Sequence, residues 1–317
     1  MSRQRIILAG GTGFLGANLL PVLRRAGYEI IVLTRNPSRF HDEEEGVSYC
    51  RWNGQTREAW ADCLSGAKAV VNLAGSTINC RMSKANKKRI VDSRIDSTRA
   101  LCSAAREAMP APEVFVQCSA VGFYGNKETP QEETSPPGNG FLAKTCSAWE
   151  DAFRAFELES TRSVLLRMGI VLGTEGGALP LLVKTTRLFL GGRAGHGKQY
   201  MSWIHQEDVN RVFLETIENR TMEGVYNVTS PGIVTNGRFM KVLRALLSRP
   251  WSPPVPAPLL KLGGYLLGLN TELSLSGQRA VPTRLQAAEF EFEYPELDCA
   301  LASLLVSPER NQERMEP

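Results

Sequence analysis

Gly10-Gly11-Thr12-Gly13-Phe14-Leu15-Gly16 follows an apolar run at residues 5–9 of this 317-residue chain. A short, apolar run of this kind is typical of a strand buried in a parallel sheet. The segment after the heptapeptide carries apolar residues at helical spacing, and Gly27 is placed to end that helix. A second apolar run covers residues 28–33. The order of strand, glycine loop, helix and strand predicts one βαβ unit over residues 5–35.

Three glycines of this loop have separate tasks in such a unit. Gly10 allows the tight turn out of the strand, Gly13 lets the backbone approach a pyrophosphate, and Gly16 lets the helix pack closely on the sheet. The pyrophosphate would lie at the helix N-terminus, where free N–H groups favour an anion. A purely structural glycine turn is the alternative, but the flanking strands favour a dinucleotide-binding Rossmann unit. The predicted coenzyme-binding residues of this loop are Gly10, Thr12, Gly13, Phe14, Leu15 and Gly16.

The end of the second strand indicates which coenzyme is bound. NAD enzymes usually carry Asp or Glu there to hold the ribose 2′-hydroxyl, whereas an arginine accommodates a 2′-phosphate. The chain reads Leu33-Thr34-Arg35-Asn36, and no carboxylate occurs before Asp42. A guanidinium matches the geometry of a phosphate. We therefore expect Arg35 to select NADP(H), the alternative being an ordinary surface arginine.

Further apolar runs alternate with helical stretches along the chain. The run at residues 69–75 is placed like the fourth strand of the sheet, and its end, Leu73, Ala74 and Gly75, would pass under the coenzyme. Residues 113–118 and 163–167 predict a fifth and a sixth strand, preceded by helical stretches at 93–108 and 143–158, respectively. This alternation predicts an α/β fold with a doubly wound parallel sheet.

The composition excludes several classes of protein. With 43% hydrophobic and 22% charged residues, the chain resembles an ordinary soluble enzyme. The net charge of +4 is small, and the basic run at residues 84–89 fits a solvated helix face, so we predict no nucleic-acid partner. No apolar run reaches membrane-spanning length, so we predict no membrane partner. There is no signal-peptide pattern and no metal-binding spacing among the seven cysteines, so we expect a cytoplasmic protein with reduced thiols and no metal.

Several further motifs are similar to those of one family. They are Asn72-Leu-Ala-Gly75, Asp92-Ser-Arg-Ile-Asp-Ser-Thr98, Ser119-Ala-Val-Gly-Phe-Tyr-Gly125, Arg167-Met-Gly-Ile-Val-Leu-Gly173, Trp203-Ile-His-Gln-Glu-Asp208, Gly224-Val-Tyr-Asn227 and Leu275-Ser-Gly-Gln-Arg-Ala-Val-Pro282. With the G-x-x-G-x-x-G loop, this ordered set resembles an atypical extended short-chain dehydrogenase/reductase. The resemblance is to the NAD(P)-dependent epimerase/dehydratase-like "epimerase family protein" of the bacterial YfcH type, and it covers nearly the whole chain.

The resemblance implies a division of the chain into domains. Residues 1–173 would form the NADP-binding domain, with later strands from about 204–228. Residues 174–205 and 229–305 would form a smaller substrate lobe and a C-terminal cap of unknown function, and 306–317 a disordered tail. A flexible, basic loop at 191–198 would lie at the mouth, where Arg193, His196 and Lys198 would meet an anionic small-molecule substrate. A solvated turn is the alternative reading of that loop.

The acid–base pair of catalytic members of the superfamily is missing. Those enzymes use a tyrosine with a lysine four residues later, and the lysine lowers the pKa of the phenol. None of the seven tyrosines of this chain has a lysine four residues on, and no tyrosine occurs between residues 126 and 199. The helix that should carry the pair includes Lys144 and Cys146 instead. Cys146 is interpreted as a buried thiol of the core.

Two hydroxyl groups remain as catalytic candidates. Ser119 lies just past the fifth strand, where the superfamily keeps a hydroxyl that polarises a carbonyl or alcohol. Tyr124 follows the same strand and would donate a proton rather than accept one at neutral pH. The alternatives are a capping serine and a packed loop aromatic. His205 and Asp208 are interpreted as residues that stabilise the junction between lobes.

Two functions are consistent with this sequence. The first is an NADP(H)-dependent reductase or epimerase that acts on a small, sugar-like or nucleotide-linked substrate with non-standard acid–base residues. The second is a non-catalytic NADP(H)-binding protein, such as a redox-state sensor or a partner-binding module. The glycine loop and substrate lobe favour the enzyme, and the missing Tyr–Lys pair favours the sensor.

Overall fold

A seven-stranded parallel sheet forms the centre of the molecule. The computed structural model describes residues 3–40, 45–249 and 251–306, so that Asp42 and the tail at 307–317 lie outside it. The described residues form eleven strands: β1 (Arg5–Ala9), β2 (Glu29–Thr34), β3 (Val47–Arg51), β4 (Ala69–Asn72), β5 (Val114–Ala120), β6 (Arg162–Met168), β7 (Ile170–Leu172), β8 (Tyr200–Met201), β9 (Trp203–His205), β10 (Gly224–Val228) and β11 (Val234–Thr235). The sheet order is β10-β6-β5-β4-β1-β2-β3.

The direction of winding reverses between β1 and β4. The chain runs outward from β1 to β2 and β3, then returns to β4 and continues outward on the other side through β5 and β6. Every strand pair in this sheet is parallel, so all carboxyl ends lie at one edge. In open α/β sheets, ligands bind outside the carboxyl ends of the strands at such a switch point. The doubly wound α/β fold predicted from the sequence is confirmed.

The predicted elements occur where the pattern placed them, with small differences at their ends. The first strand has the predicted bounds, and the second, fifth and sixth are each shifted or extended by one or two residues. The fourth strand ends at Asn72, because the small residues after it form a loop. The strand β3 was not predicted, because its five residues mix polar and apolar side chains and form no continuous apolar run.

Ten helices of the described residues flank the sheet or build the lobe beside it. They are α1 (Phe14–Arg25), α2 (Lys84–Glu107), α3 (Phe141–Arg154), α4 (Leu179–Arg187), α5 (Gln206–Glu218), α6 (Asn236–Leu246), α7 (Ala257–Leu267), α8 (Glu272–Leu275), α9 (Thr283–Ala287) and α10 (Leu297–Leu305). The predicted helices at 93–108 and 143–158 correspond to α2, which begins nine residues earlier, and to α3, which ends four residues earlier.

Apolar residues cover both faces of the sheet. In β1, Ile6 and Leu8 pack with α1 and α5 on one face, while Ile7 and Ala9 pack on the opposite face with α2. This alternation follows from the two-residue period of a strand. A separate apolar cluster joins α4, α6 and α10 into the C-terminal lobe. The sheet core thus fixes the carboxyl edge of β1, β2, β4 and β5, where the candidate site lies.

Candidate coenzyme site

The glycine loop after β1 is packed too closely for side chains at three of its positions, Gly10, Gly11 and Gly16. Gly10 has a φ of +80°, and a Cβ there would lie 2.8 Å from the carbonyl group of Leu73. A Cβ at Gly16 would lie 2.4 Å from the Cα of Gly11. Gly13 differs, because a Cβ there would meet only the Gly10 carbonyl oxygen, at 3.3 Å. The loop therefore needs Gly10 and Gly16 to fold, whereas Gly13 leaves space on its outer side.

The N-terminus of α1 is open to an anion. The helix begins at Phe14, its N-cap Gly13 supplies no side-chain hydrogen bond, and its first turn contains no acidic residue. Thr12 and Gly13 are exposed. The first backbone N–H groups of a helix have no partner within it and attract negative charge. Leu15 is half-buried against the sheet core, so it holds the helix start in place.

The side chain of Phe14 packs beneath a glycine-rich segment of the C-terminal half. A Cβ at Gly173 or Gly176 would lie within 2.7 Å of the Phe14 ring. The aromatic ring thus connects the start of α1 to the chain that leaves β7.

Arg35 directly follows β2 at the same edge of the sheet. Its side chain is exposed, and it forms no ion pair with any residue that the structure describes. The short 3₁₀ helix Pro37–Arg39 comes next and has no acidic residue in its first turn. The guanidinium of Arg35 is thus exposed at this strand end, and its binding of a phosphate stays a prediction.

The loop after β4 lies on the other side of the glycine loop. Leu73 and Ala74 are half-buried against Gly10, and Gly75 is exposed. The buried Asn72 fixes the loop, because its Oδ1 accepts a hydrogen bond from the backbone N–H of Ala74 at 3.1 Å. All three strand ends that the sequence assigned to the coenzyme therefore meet at one edge.

Ser119 is bound to a buried ion pair. Its hydroxyl donates a hydrogen bond to Oε1 of Glu150 at 2.8 Å. Arg167 forms a bidentate pair with the same carboxylate, with Nε and Nη2 each 2.8 Å from an oxygen. Glu150 is fully buried and Arg167 is 2% exposed. This geometry gives the Ser119 hydroxyl a structural partner, and its catalytic role stays a prediction.

Tyr124 belongs to the same network. Its phenol accepts a hydrogen bond from Nη1 of Arg167 at 2.8 Å and donates one to Oδ1 of Asn227 at 2.7 Å. The side chain is fully buried, and burial raises the pKa of the phenol above its ordinary value. Tyr124 therefore stays protonated at neutral pH, and its role as a proton donor also stays a prediction.

The sequence reasoning did not single out Glu150 or Arg167 as part of the site. A signal was available, because Arg167 is a charged residue within the apolar strand β6 and Glu150 lies on the buried side of an amphipathic helix. Charges are rarely buried in such positions unless they are paired.

The helix α3 presents no acid–base group where the pair was expected. A Cβ at Gly122, just past β5, would lie 3.7 Å from Sγ of Cys146 and 3.9 Å from Cβ of Leu142. The helix face toward the site thus carries Leu142 and Cys146, while Lys144 is exposed on another face. Burial raises the pKa of the Cys146 thiol to about 12.

The basic loop lies with the C-terminal lobe. Arg193, His196 and Lys198 are exposed, and Nδ1 of His196 accepts a hydrogen bond from the Lys198 backbone N–H at 3.0 Å. Neighbouring backbone groups of the loop bind Val255 and Asn236. Among the described residues, no hydrogen bond or ion pair joins any of these three side chains to the loops after β1, β2 or β4.

The C-terminal lobe reaches over the loop after β4. Nη2 of Arg81 donates to the backbone oxygen of Tyr265 in α7 at 2.9 Å. The backbone N–H of Asn270 donates to Oδ1 of Asn79 at 3.3 Å. At the start of α5, Asp208 accepts backbone hydrogen bonds from Glu293 and Tyr294. These contacts join the C-terminal lobe to the loop after β4 and to the start of α5.

The described residues contain neither a membrane-spanning helix nor a cluster of metal ligands. No helix in this part of the chain is long and apolar enough to cross a membrane. The same residues contain no group of three or more His, Cys, Asp or Glu side chains that could hold a metal ion. A cavity of about 440 Å³ lies between the C-terminal ends of α2 and α3, at the opposite edge of the sheet from the coenzyme loops.

Comparison with known families agrees with this geometry. Residues 6–229 match the NAD dependent epimerase/dehydratase family. The chain belongs to this family. Residues 255–304 match a domain of unknown function, DUF1731. This match covers α7 to α10, the last part of the C-terminal lobe.

Relatives from several organisms share nearly the whole length of this epimerase-family chain. The chain is 36% identical to the Arabidopsis thaliana "Epimerase family protein SDR39U1 homolog, chloroplastic", over 96% of this chain and 87% of the relative. Its structure resembles that of human epimerase family protein SDR39U1 with NADPH, with a TM-score of 0.84 and 30% identity over 95% and 99% of the two chains. A nucleoside-diphosphate sugar epimerase from Corynebacterium glutamicum has a TM-score of 0.77 and 27% identity, over 99% and 62%.

Proposed function

We propose that the chain binds NADP(H) across the carboxyl edge of the sheet. The observation that carries this proposal is the open N-terminus of α1, together with Arg35, which follows β2, is exposed and has no ion-pair partner among the described residues. The N–H groups of the helix would bind the pyrophosphate, and Arg35 would bind the 2′-phosphate. The human relative solved with NADPH supports this choice of coenzyme. The proposed binding residues are Gly10, Thr12, Gly13, Phe14, Leu15, Gly16, Arg35, Leu73, Ala74 and Gly75.

The proposed activity is the reduction or epimerisation of a small, sugar-like or nucleotide-linked substrate at the carboxyl edge of the sheet, beside the C-terminal lobe. When bound, NADPH supplies a hydride to a carbonyl carbon, and the carbonyl oxygen then takes a proton. The exposed positive charges of Arg193 and Lys198 would attract an anionic substrate, and His196 between them would offer it a hydrogen-bonding ring. The nucleoside-diphosphate sugar epimerase among the similar structures supports this substrate class. Because burial raises the pKa of Tyr124, its phenol fits proton donation and thus carbonyl reduction.

A non-catalytic NADP(H)-binding protein is the second candidate. The specific observation in its favour is that the hydroxyls of Ser119 and Tyr124 are already hydrogen-bonded within the protein. Leu142 and Cys146 also give the facing side of α3 no group that titrates near neutral pH. Such a protein would bind the coenzyme without consuming it.

Calorimetry with matched variants tests the choice of coenzyme. We expect NADPH to bind more tightly than NADH, and Arg35→Ala to lose about 1.5–3 kcal/mol for NADPH, as for a hydrogen bond to a charged group. NADH binding should change little. Arg25→Ala, at the far end of α1, is the control, because Arg25 is equally exposed but distant from the site. Equal affinity of the wild type for both coenzymes would refute the preference for NADP(H).

A turnover assay separates the two candidate functions. The loss of reduced nicotinamide absorbance would be followed with carbonyl compounds and nucleotide sugars, and small molecules that co-purify would be identified by mass spectrometry. Consumption of NADPH with any of them supports the enzyme. Tight NADPH binding without consumption across the whole panel supports the second candidate.

We also retain a cytoplasmic location as a proposal from the sequence. The Arabidopsis relative is named chloroplastic, so the location of this chain needs its own test by cell fractionation.

A further inference from the structure

Arg94 lies beneath the loop after β4 and has no role in the site described so far. Its Nη1 donates hydrogen bonds to the backbone oxygens of Ser76 and Ile90 at 3.1 and 3.0 Å. A Cβ at Gly75 would lie 3.2 Å from Cζ of Arg94 and 3.4 Å from its Nη2. The guanidinium is therefore packed against Gly75, in the loop after β4 that the coenzyme should cross.

The strand order tells which half of the coenzyme would meet Arg94. If the pyrophosphate lies at the start of α1, the adenosine half extends over β2 and Arg35. The nicotinamide half then extends the other way, over β4 and β5. Arg94 contacts the loop after β4 through Gly75 and the backbone oxygen of Ser76. It is thus on the nicotinamide side of the switch point.

The guanidinium has no counter-ion in the described part of the chain. Burial lowers the pKa of Arg94, and the neighbouring titratable groups are the thiols of Cys146 and Cys118. Burial raises the pKa of each thiol to about 12, so both are neutral near pH 7. The nearest aromatic partner is Trp149, whose ring centroid is 5.1 Å from Cζ. A largely desolvated cation without an anion is costly, and such groups cluster at functional sites.

The contrast with α3 adds a second observation. Leu142 and Cys146 face the site with a spacing of four residues, the spacing of the missing acid–base pair, and neither carries a charge. Arg94 packs on the same helix, with its Cζ 5.1 Å from the ring centroid of Trp149, three residues after Cys146. The positive charge beside this face of α3 therefore belongs to Arg94 on α2, and not to a residue of α3.

We propose that Arg94 holds the nicotinamide nucleotide half of the bound coenzyme, through hydrogen bonds from its guanidinium to oxygen atoms of that half. This inference rests on the proposed function, since it assumes that NADP(H) binds at this edge. Arg94 is a binding and positioning residue, because an arginine stays protonated and does not serve as a base at neutral pH.

Calorimetry with a complete and a truncated ligand tests the assignment. NADPH contains both halves of the coenzyme, whereas 2′,5′-ADP contains only the adenosine half with its 2′-phosphate. We expect Arg94→Met to weaken NADPH binding by about 10- to 100-fold, the range of a hydrogen bond to a charged group. Binding of 2′,5′-ADP should stay within about twofold, and Arg94→Lys should recover part of the loss for NADPH because it keeps the charge.

Controls separate this role from a structural one. Arg99→Met, on the exposed face of the same helix, should leave both affinities unchanged. Arg94→Gln keeps a donor for the Ser76 carbonyl, so it tests the charge if Arg94→Met does not fold. An equal loss for NADPH and 2′,5′-ADP would mean a structural role and overturn the inference.

The experiment also distinguishes this inference from the proposed function. If the wild type binds NADPH and Arg94→Met or Arg94→Gln binds it equally well, the inference alone is overturned. If the wild type binds neither NADPH nor 2′,5′-ADP, the proposed function fails and this inference fails with it.

Discussion

The loop after β1 and the segment after β5 end at the same edge of the sheet, but their polar groups are used differently. The loop after β1 has exposed residues, Thr12 and Gly13, and backbone N–H groups at the start of α1 with no side-chain cap. In the segment after β5, Ser119 and Tyr124 are buried, and each hydroxyl has a partner within the protein. One region is open to a ligand, and the other is closed by its own hydrogen bonds.

This difference shows that a polar residue type at the right strand end does not by itself make a catalytic group. A site made of backbone N–H groups is available once the chain turns correctly, because no other residue competes for them. A buried hydroxyl must find a partner to offset its desolvation. Ser119 finds that partner in Glu150, so its availability to a substrate depends on a residue on another element.

The largest loss of stability is expected when the buried network after β5 loses the carboxylate of Glu150. Glu150→Ala would leave Arg167 buried without a counter-ion, and removal of one partner of a buried pair costs about 3–5 kcal/mol. Urea denaturation should show this loss in the free energy of unfolding. Asp151→Ala is the control, because its pair with Arg154 is exposed, with N···O 3.5 Å, and should contribute at most about 1 kcal/mol. Similar small losses for both variants would break the comparison.

His205, at the junction with the C-terminal lobe, should make the free energy of unfolding depend on pH. Burial lowers the pKa of His205 from 6.5 to about 4, so the imidazole is neutral in the folded protein near pH 7. Because the folded pKa lies below the unfolded one, the stabilisation is complete above pH 6.5 and is lost as pH falls toward 4. The total loss should be about 3 kcal/mol.

A matched variant isolates the contribution of this histidine. In the wild type, Nδ1 of His205 accepts the backbone N–H of Glu207 at 3.1 Å and so caps α5. His205→Asn keeps a capping side chain and removes the titration. The difference in unfolding free energy between the two proteins, measured from pH 7 to pH 4, should shrink as pH falls. A constant difference would show that the pKa of His205 is the same in the folded and unfolded protein, against the effect of burial.

The open region should lose binding without losing stability. Gly13→Val would place a side chain over the free N–H groups, and we expect NADPH affinity to fall by at least about 100-fold, or roughly 2.7 kcal/mol. The melting temperature should change little, because a Cβ at Gly13 meets only the Gly10 oxygen, at 3.3 Å. Gly16→Ala is the counterpart that should destabilise the fold, because its Cβ would lie 2.4 Å from Gly11. Normal NADPH binding by Gly13→Val would exclude this loop as the coenzyme site.

The smallest expected effects concern the two hydroxyls. Tyr124→Phe removes one acceptor for Arg167 and one donor for Asn227, and Ser119→Ala removes one donor for Glu150. Each should lower the free energy of unfolding by about 1–2 kcal/mol and leave NADPH affinity unchanged. If the stability of both variants is normal but turnover of an identified substrate falls, the two residues are catalytic as the sequence predicted.

The glycine loop, Arg35 and the order of the central strands could be predicted from the sequence alone. These features depend on local signals: the period of apolar residues, the glycines required by close backbone contacts, and a residue that directly follows a strand. Strand ends of a parallel sheet necessarily meet at one edge, so Gly10, Arg35 and Gly75 came together as expected.

Only the tertiary structure decided which polar side chains are free. Tyr124 and its partner Asn227 are 103 residues apart, and Glu150 joins Ser119 to Arg167 across three elements. The tertiary structure also places Arg94, from the middle of α2, against Gly75, with no counter-ion among the described residues. The free energy of a polar group depends on its burial and on the partners that reach it, and both are set by residues distant in the chain.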